Sequence, residues 1–503
     1  MTPEHCPNTS DYLLAAAQPE TVALVEAGRR YTYAQLRSAA ATLAAELATL
    51  DLPLGSRIGV LGPNSLFWVA AYLAALKLSF VAVPLSDKLT PADVHRNTGI
   101  ADCAAVCADR RSLRKLASAF DDHVSVVTDE VLWSSGEQYW PSPAPIDPGT
   151  DAVLMFTSGT TSRPKAVRVT HGNIQANTES IISFLELQSG DRVFVILPFF
   201  YCYGASLLHT HLRCGGSVVL CDSFVYPETA LDLLEQEKCT VLAGVPSSFQ
   251  LLLRASTFAR RELPTLRLIQ QAGGKLPPVL IEELMLAKPA AKLFVMYGQT
   301  EATARLSYVP PALLARKPGC IGKGIPGVEL RVLNGNGEQV RPGETGEIYA
   351  MGKNISPGYY KDPDGSVAKF TRYGLRTGDL AVVDEDGDIF IVDRRDDFIK
   401  SWGHRISSQE VEAAALQLEQ LVSAAVIGIP DNAAGEAIML FVTARPDADV
   451  TTDEVLAVCR QHLPKHMVPH SVLVLDALPL NANGKVAKLR LREMVAPLAA
   501  TSD

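Results

Sequence analysis

Short apolar runs alternate with longer mixed stretches along most of this chain, and the alternation predicts its elements. Thr21–Glu26 and Arg30–Tyr33 read as a strand pair, and the alanine-rich stretch Tyr33–Leu50 after them reads as a helix. A strand at Arg57–Leu61, a helix at Ser65–Leu76 and an apolar strand at Phe80–Pro84 follow, and the series resumes with a strand at Asp102–Val106. Further helices are predicted at Asn173–Leu185, Leu207–Cys214, Pro227–Glu237 and Ser247–Leu253. The strands between and after them are Arg192–Leu197, Ser217–Leu220, Val241–Gly244, Leu266–Ala272 and Leu293–Tyr297. Strand and helix in turn are the signature of an α/β fold with a parallel sheet.

The pattern changes near Val328. Short strands now alternate with Asn-Gly, Pro-Gly and Asp-Gly turns (Asn334–Gly337, Pro342-Gly343, Asp386-Gly387), which predicts an antiparallel β subdomain ending near Arg394. Beyond the polar run Asp393–Asp397, helices at Ser408–Leu418 and Thr452–His462 and strands at Val422–Ile429, Ile438–Thr443 and Ser471–Leu475 make a small α+β domain. The expected division is a large N-terminal core, 1–394, with α/β subdomains to about 327 and a β-rich subdomain over 328–394, and a C-terminal domain, 395–503. A length of 503 residues suits such a composite.

Composition narrows the function classes. A formal charge of −9 with no basic stripe argues against nucleic acid as a partner, and Arg110, Arg111, Arg114 and Lys115 read as one solvated helix face. Met1–Ser10 lacks the features of a signal peptide, and the longest apolar stretch, Trp68–Leu76, is too short to span a bilayer, so the expected location is cytoplasmic. The nine cysteines include no CxxC pair and no His/Cys cluster at metal spacing; Cys103 and Cys107 read as a packed thiol pair.

The chemistry is carried by stretches at strand ends. Between the apolar runs Ala152–Phe156 and Ala166–Val169 lies Thr157-Ser158-Gly159-Thr160-Thr161-Ser162-Arg163-Pro164-Lys165, rich in hydroxyls and closed by a cation. Such a loop can gather backbone N–H groups and hydroxyls on an anion, or be an exposed hairpin of turn formers. It is not a P-loop, because the GxxxxGK[ST] spacing is absent. Pro198–Gly204, Ala272-Gly273-Gly274 and Tyr297-Gly298-Gln299-Thr300-Glu301 also follow predicted strands, where open parallel sheets bind ligands.

With Arg376–Leu380 (RTGDL), Asp393–Glu412 and Pro479–Lys485 (PLNANGK) added, these stretches resemble, in order and over nearly the whole chain, the adenylate-forming enzymes. That family includes acyl- and aryl-CoA synthetases, peptide-synthetase adenylation domains and firefly luciferase. The resemblance implies that Thr157, Ser158, Gly159, Thr160, Thr161 and Lys165 hold the β and γ phosphates of ATP and that Glu301 places Mg²⁺. It further implies that Gly274 and Tyr297, Gly298, Gln299 and Thr300 border the nucleotide, that Asp379 and Arg394 contact the ribose, and that Lys485 bridges the acid and the α-phosphate. Glu301, Thr161 and Lys485 thereby become the implied catalytic set. Tyr201, Gly204, Ala272 and Gly273 would line the acid pocket, Asp396 would be the hinge of a mobile C-terminal domain, and Gly403 would meet the incoming pantetheine. On local sequence alone, Lys485 equally suits an exposed Asn-Gly-Lys turn, and Phe199–Tyr203 suits a core.

The implied reaction joins a small-molecule carboxylic acid to AMP and then to the thiol of CoA, the alternative acceptors being an acyl carrier protein's phosphopantetheine or a non-thiol nucleophile such as an amine. Pro198–Gly204 lacks the aspartate that amino-acid-activating relatives carry, which points to an aryl or acyl acid. A luciferase-like oxygenase and a non-catalytic binding protein are the alternatives from other classes. Four positions depart from the family pattern, with Ser79, Ser162, Ala166 and Asp393 standing where glycine is usual. Any of them with φ > 0 would cost on the order of 1–2 kcal/mol.

Overall fold

The structure, a computed structural model, describes residues 8–499 apart from 122–123, 134–137, 143–145, 158–163, 222, 225, 395–397 and 432–433; the side chains of 394 and 496–499 are also outside the description. Three sheets organise it. The first has six strands in the order Ser125–Thr128, Cys103–Ala108, Arg57–Leu61, Val81–Leu85, Asp151–Thr157, Lys165–Thr170. All its pairings are parallel except the last, which is antiparallel and pairs Thr157 with Lys165.

The second sheet has 14 strands. Its parallel heart runs Ser217–Leu220, Arg192–Val195, Val241–Gly244, Leu268–Gln271, Lys292–Tyr297. Beyond Lys292–Tyr297 it continues antiparallel through Ser307–Val309, Cys320–Gly324, Ile389–Arg394, Gly374–Val383, Thr345–Gly352 and Val328–Leu333. The β-rich segment expected from 328 is therefore one end of the same sheet, joined through Cys320–Gly324, and no break in hydrogen bonding falls at 327.

Between these two sheets lies the largest core cluster. It draws Ile58, Val60 and Val153 from one sheet and Val193, Val218 and Val241 from the other. The helix Leu66–Lys77 runs through it with every residue from Phe67 onward buried, including Lys77, whose ammonium meets Asp11 at 2.7 Å. Helices His171–Leu185 and Cys202–Cys214 fill the same layer, which brings the N-terminus of Cys202–Cys214 to the sheet's carboxyl ends.

The third sheet belongs to the C-terminal lobe, in the order His404–Ile406, Ile399–Ser401, Gly435–Ala444, Leu421–Asp431, with Ser471–Val474 parallel to Gly435–Ala444. Its apolar face shares a cluster with Leu252, Leu253, Ile281 and Leu284 of helices Pro246–Arg254 and Pro278–Ala287. Arg254, whose side chain is fully buried, crosses between the lobes. It pairs with Glu283 at 2.5 Å and donates to the carbonyls of Leu421 at 2.7 Å, Leu416 at 3.0 Å and Leu418 at 3.4 Å.

Several expectations need correction. Cys103 and Cys107 do not pack together: a register shift between Arg57 and Ile58 reverses the facing of their strand, and the two thiols enter different core clusters. The helix expected from Leu207 begins at Cys202, so part of the supposed loop Pro198–Gly204 is its first turn. Helices Pro91–Ala101, Pro278–Ala287 and Lys488–Ala499 were not expected. The first two open on proline at the first helical position, which starts a helix rather than ending one.

Candidate active site

A cleft of about 830 Å³ opens between the lobes, bordered by Gly273, Gly274, Tyr297, Gly298, Asp379 and Lys485. Gly273 and Gly274 follow strand Leu268–Gln271, Tyr297 and Gly298 lie at the end of Lys292–Tyr297, Asp379 lies within Gly374–Val383, and Lys485 comes from the C-terminal lobe. Tyr297 closes strand Lys292–Tyr297, and a Cβ on Gly298 would sit 1.9 Å from the carbonyl oxygen of Ala304, so glycine is what lets the chain turn back there. Tyr297 Oη donates to Asp379 Oδ2 at 2.5 Å and orients that carboxylate, which is 6% exposed. Asp379 sits on Gly374–Val383 opposite Arg394 in the ladder.

Glu301 stands in the single turn Thr300–Ala302 and is buried. Among the described residues one donor reaches its carboxylate, Tyr359 Oη at 2.7 Å. That leaves acceptor capacity for a hard cation such as Mg²⁺, whose preferred ligands are carboxylate oxygens. Thr303, just after, has φ 65° and ψ −56°, a positive-φ conformation rare for a β-branched residue. Bonds from its amide to Thr300 O at 2.9 Å and from its hydroxyl to Asn354 O at 2.7 Å hold it there. Strain of this kind gathers where a side chain must be aimed.

Tyr359 also connects Glu301 to Lys165. The Lys165 ammonium lies 4.6 Å over the Tyr359 ring and 3.1 Å from Asp362, while its backbone pairs with Thr157 across the hairpin. Asp362 is held below the usual carboxylate range, first by the Gly365 amide and then by Lys165. Lys165, paired with Thr157, is thus linked to Glu301 through Tyr359. Ser158, Gly159, Thr160, Thr161 and Ser162 lie outside the described residues, as does Asp396, and Arg394 is described by its backbone alone.

Lys485 arrives from the C-terminal lobe on a tight turn: Asn481 N donates to Lys485 O at 2.7 Å, Asn481 Oδ1 accepts from Lys485 N at 3.0 Å, and Gly484 has φ +77°. The turn is docked, because Ser247 Oγ of the N-terminal lobe donates to Gly484 O at 2.6 Å. The Lys485 ammonium lies 5.5 Å over the Tyr201 ring. At Gly273, with φ +87°, a Cβ would meet Tyr201 Oη at 2.9 Å and Lys485 Cε at 3.6 Å. Lys485, Tyr201 and Gly273 therefore meet at one point.

Ala272 is buried in the core next to that point. Gly204 is buried inside the first turn of Cys202–Cys214, where a Cβ would come 2.1 Å from Pro198 O, so its missing side chain serves helix packing. Gln299 Nε2 is buried without a partner among the described residues, and Thr300 Oγ1 contacts Cys202 Sγ at 3.5 Å. Burial raises the Cys202 thiol above its ordinary range, the reverse of what a nucleophile needs. Gly403 is not brought to the cleft: Trp402 and Gly403 form a two-residue hairpin turn with φ 51° and 77°, and nothing lies within 4 Å of a Cβ on Gly403. Sequence reasoning passed over Tyr359, Asp362 and Ser247; the Pro-Gly-Tyr-Tyr turn at Pro357–Tyr360 is the one local signal that would have drawn attention to the first.

Residues 14–360 match the family described as AMP-binding enzyme, and residues 410–485 match the AMP-binding enzyme C-terminal domain. The chain is 32% identical over 480 residues to a 2-succinylbenzoate–CoA ligase of Bacillus pumilus, covering 95% of this chain and 96% of that one. It is 30% identical over 481 residues to a feruloyl-CoA synthase of Amycolatopsis, with the same coverage of 95% and 96%. Among solved structures, O-succinylbenzoate coenzyme A synthetase from Bacillus subtilis in complex with ATP and magnesium ion superimposes with a TM-score of 0.82 at 28% identity, covering 96% of this chain and 98% of that one.

Proposed function

The chain belongs to the AMP-binding enzyme family, and from that premise we propose that it is an AMP-forming acid–thiol ligase acting on an aryl or acyl carboxylic acid. In the first step a carboxylate oxygen attacks the α-phosphorus of ATP and pyrophosphate leaves; in the second the sulfur of CoA attacks the acyl carbon and AMP leaves with the carboxylate oxygen. The observation that carries this reading is the meeting of Lys485, from one lobe, with Tyr201 and Gly273 from the other. A cation delivered there neutralises two anions, acid and α-phosphate, that would otherwise repel, and supports the charge that develops between them.

The remaining residues take roles consistent with their surroundings. Asp379, oriented by Tyr297, accepts from the ribose hydroxyls, with Arg394 beside it in the ladder. Glu301 offers a carboxylate oxygen to Mg²⁺, which supplies charge neutralisation for the leaving pyrophosphate. Thr157 and Lys165, with the loop residues Ser158, Gly159, Thr160 and Thr161, hold the outer phosphates; ATP would draw Lys165 away from Asp362. Gly274, Gly298, Gln299 and Thr300 border the base. A cleft of about 830 Å³ has room for a nucleotide and an acid together.

For the second step the C-terminal domain, 395–503, turns about Asp396, withdrawing Lys485 and bringing Gly403 toward the thiol. Among the described residues no helix is long and apolar enough to cross a membrane. The test is pyrophosphate and AMP release with ATP and Mg²⁺ across aryl, short-chain and medium-chain acids, with and without CoA. Acid-dependent release, with thioester formed when CoA is present, supports the reading. Release with no thioester moves the acceptor to a carrier-protein phosphopantetheine or a non-thiol nucleophile, and no release with any acid overturns it.

A further inference from the structure

We infer that Asp362 is an internal stand-in for the outer phosphates of ATP: it holds the Lys165 ammonium, yields it to the nucleotide, and takes it back as pyrophosphate leaves. The inference rests on the reading of Lys165 as a phosphate-holding residue and deepens it to how that grip is made and released. Lys165 Nζ lies 3.1 Å from Asp362 Oδ2 and 4.6 Å over the Tyr359 ring. Asp362 is fixed through its other oxygen, because Oδ1 accepts from the Gly365 amide at 2.8 Å as the N-cap of helix Pro363–Lys369. The neighbouring Lys361 is committed to Asp102 at 2.5 Å, so among the described residues Lys165 is the cation on Asp362.

Space is kept for this pair. Gly365 stands in the first turn of that helix, and a Cβ there would come 2.1 Å from Asp362 Oδ2 and 2.6 Å from Lys165 Nζ. Glycine inside a helix is less stable than alanine, and here it is what lets the two charges meet. The main chains that carry the partners are bonded to each other, by Tyr360 N to Ala166 O at 2.8 Å and by Arg168 N to Gly358 O at 3.0 Å. Exchange is therefore a rotation of the Lys165 side chain and needs no displacement of strand or turn.

The rotation has somewhere to go. Tyr359, whose ring faces the ammonium, donates its hydroxyl to Glu301 at 2.7 Å, so contacts run unbroken from Asp362 through Lys165 and Tyr359 to the carboxylate assigned to Mg²⁺. An anion brought to Glu301 with the metal competes with Asp362 for one ammonium. The side chains of Lys165 and Asp362 are 34% and 37% exposed, which makes the pair weak and exchangeable where a buried one would not be. The polyphosphate of ATP carries more negative charge than one carboxylate and displaces it. Pyrophosphate, once parted from the adenylate, meets a competing anion already in place. Asp362 thus lowers affinity for ATP and pyrophosphate alike, and what it favours is departure of the product.

The test is calorimetric binding of Mg·ATP, Mg·pyrophosphate and AMP to the full chain, AMP being the ligand that lacks the outer phosphates. Asp362→Asn removes the charge and keeps the helix cap, since asparagine caps as well as aspartate. It should tighten ATP and pyrophosphate by about 2- to 5-fold, the size of a partly exposed ion pair, and leave AMP unchanged. Made on Lys165→Ala, the same change should do nothing, because no ammonium is left to contest. Inhibition of acid-dependent AMP formation by pyrophosphate should strengthen in step. With Lys165→Ala weakening both polyphosphate ligands, an Asp362→Asn variant that binds them as wild type does, or more weakly, overturns the inference and leaves the phosphate reading of Lys165 standing. So does equal tightening in the absence of Lys165, or tightening of AMP as great as that of ATP. A Lys165→Ala variant that binds ATP as tightly as wild type overturns both. Should Asp362→Asn not fold, Gly365→Ala decides, because it crowds the pair while keeping both charges: tighter ATP binding supports the inference, and unchanged or weaker binding overturns it.

Discussion

Arg254 offers a direct handle on the two-step cycle, because it ties the lobes together in the arrangement that puts Lys485 at the site. Its guanidinium gives three hydrogen bonds to carbonyls of the C-terminal lobe, those of Leu416, Leu418 and Leu421, and is anchored on its own side by Glu283. When the lobes part, those bonds are exchanged for water, so each contributes a net of about 1 kcal/mol to docking, the long bond to Leu418 least. Arg254→Leu removes them and leaves the carbonyls buried without donors, which shifts the docking equilibrium by about 3 kcal/mol, or roughly 100-fold. Because the role proposed for Lys485 requires the docked arrangement, acid-dependent pyrophosphate release in a single turnover should fall by about 10- to 100-fold. Thioester formation from CoA and a supplied acyl-adenylate, which needs the other arrangement, should hold or quicken. Arg254→Lys should lie between. A parallel loss in both half-reactions, with the thermal midpoint unchanged, would refute the reasoning, and so would no loss in either.

Three other outcomes are expected. Lys485→Ala should depress pyrophosphate release by about 100-fold or more while leaving the CoA step from supplied acyl-adenylate within a few-fold of wild type; equal loss in both would remove Lys485 from the first step. Burial holds His171 and His211 down to about 4 and His209, bonded to Tyr72, down to about 3. These imidazoles stay neutral in the fold while the unfolded chain takes up protons near pH 6.5, so they cost nothing above that pH. Stability is lost as pH falls toward 4, by on the order of 1 kcal/mol per histidine at pH 5.5. His209→Gln should therefore lose less stability than wild type between pH 7.5 and 5.5 in urea titrations, and equal losses would contradict this. Ser79 has φ 57°, so Ser79→Gly should raise stability by about 1 kcal/mol, read as a shift in urea midpoint at constant slope.

Much of the fold was legible because its strands are short apolar runs closed by turn residues. Arg57–Leu61, Ser217–Leu220 and Val241–Gly244, and the helix Thr452–His462, fall where the pattern puts them. The missed helix Lys488–Ala499 buries chiefly Leu491 and Val495, one turn apart, and exposes Leu489, a stripe too narrow to stand out. Of the four departures from glycine, only Ser79 among the described residues takes the left-handed conformation; Ala166 and Asp393 sit in ordinary strand backbone and carry no such strain, and Ser162 lies outside the described residues. Tyr297, Asp379, Gly273 and Lys485 were readable as motifs, since each lies in a local pattern. Tyr359 and Arg254 were not: a tyrosine under a lysine and an arginine that bonds carbonyls of the other lobe have no local signature, and only the folded chain reveals what they face.

The central claim is that the acid is activated by direct transfer to the α-phosphate, and isotope transfer tests it most directly. An accepted acid labelled with ¹⁸O in both carboxylate oxygens is turned over with ATP, Mg²⁺ and CoA, and the products are read by mass spectrometry. The account predicts one labelled oxygen in AMP and none in pyrophosphate, because the carboxylate oxygen that attacks phosphorus departs with AMP when the thiol attacks carbon. Label in inorganic phosphate together with ADP, or thioester formed with unlabelled AMP, would contradict it.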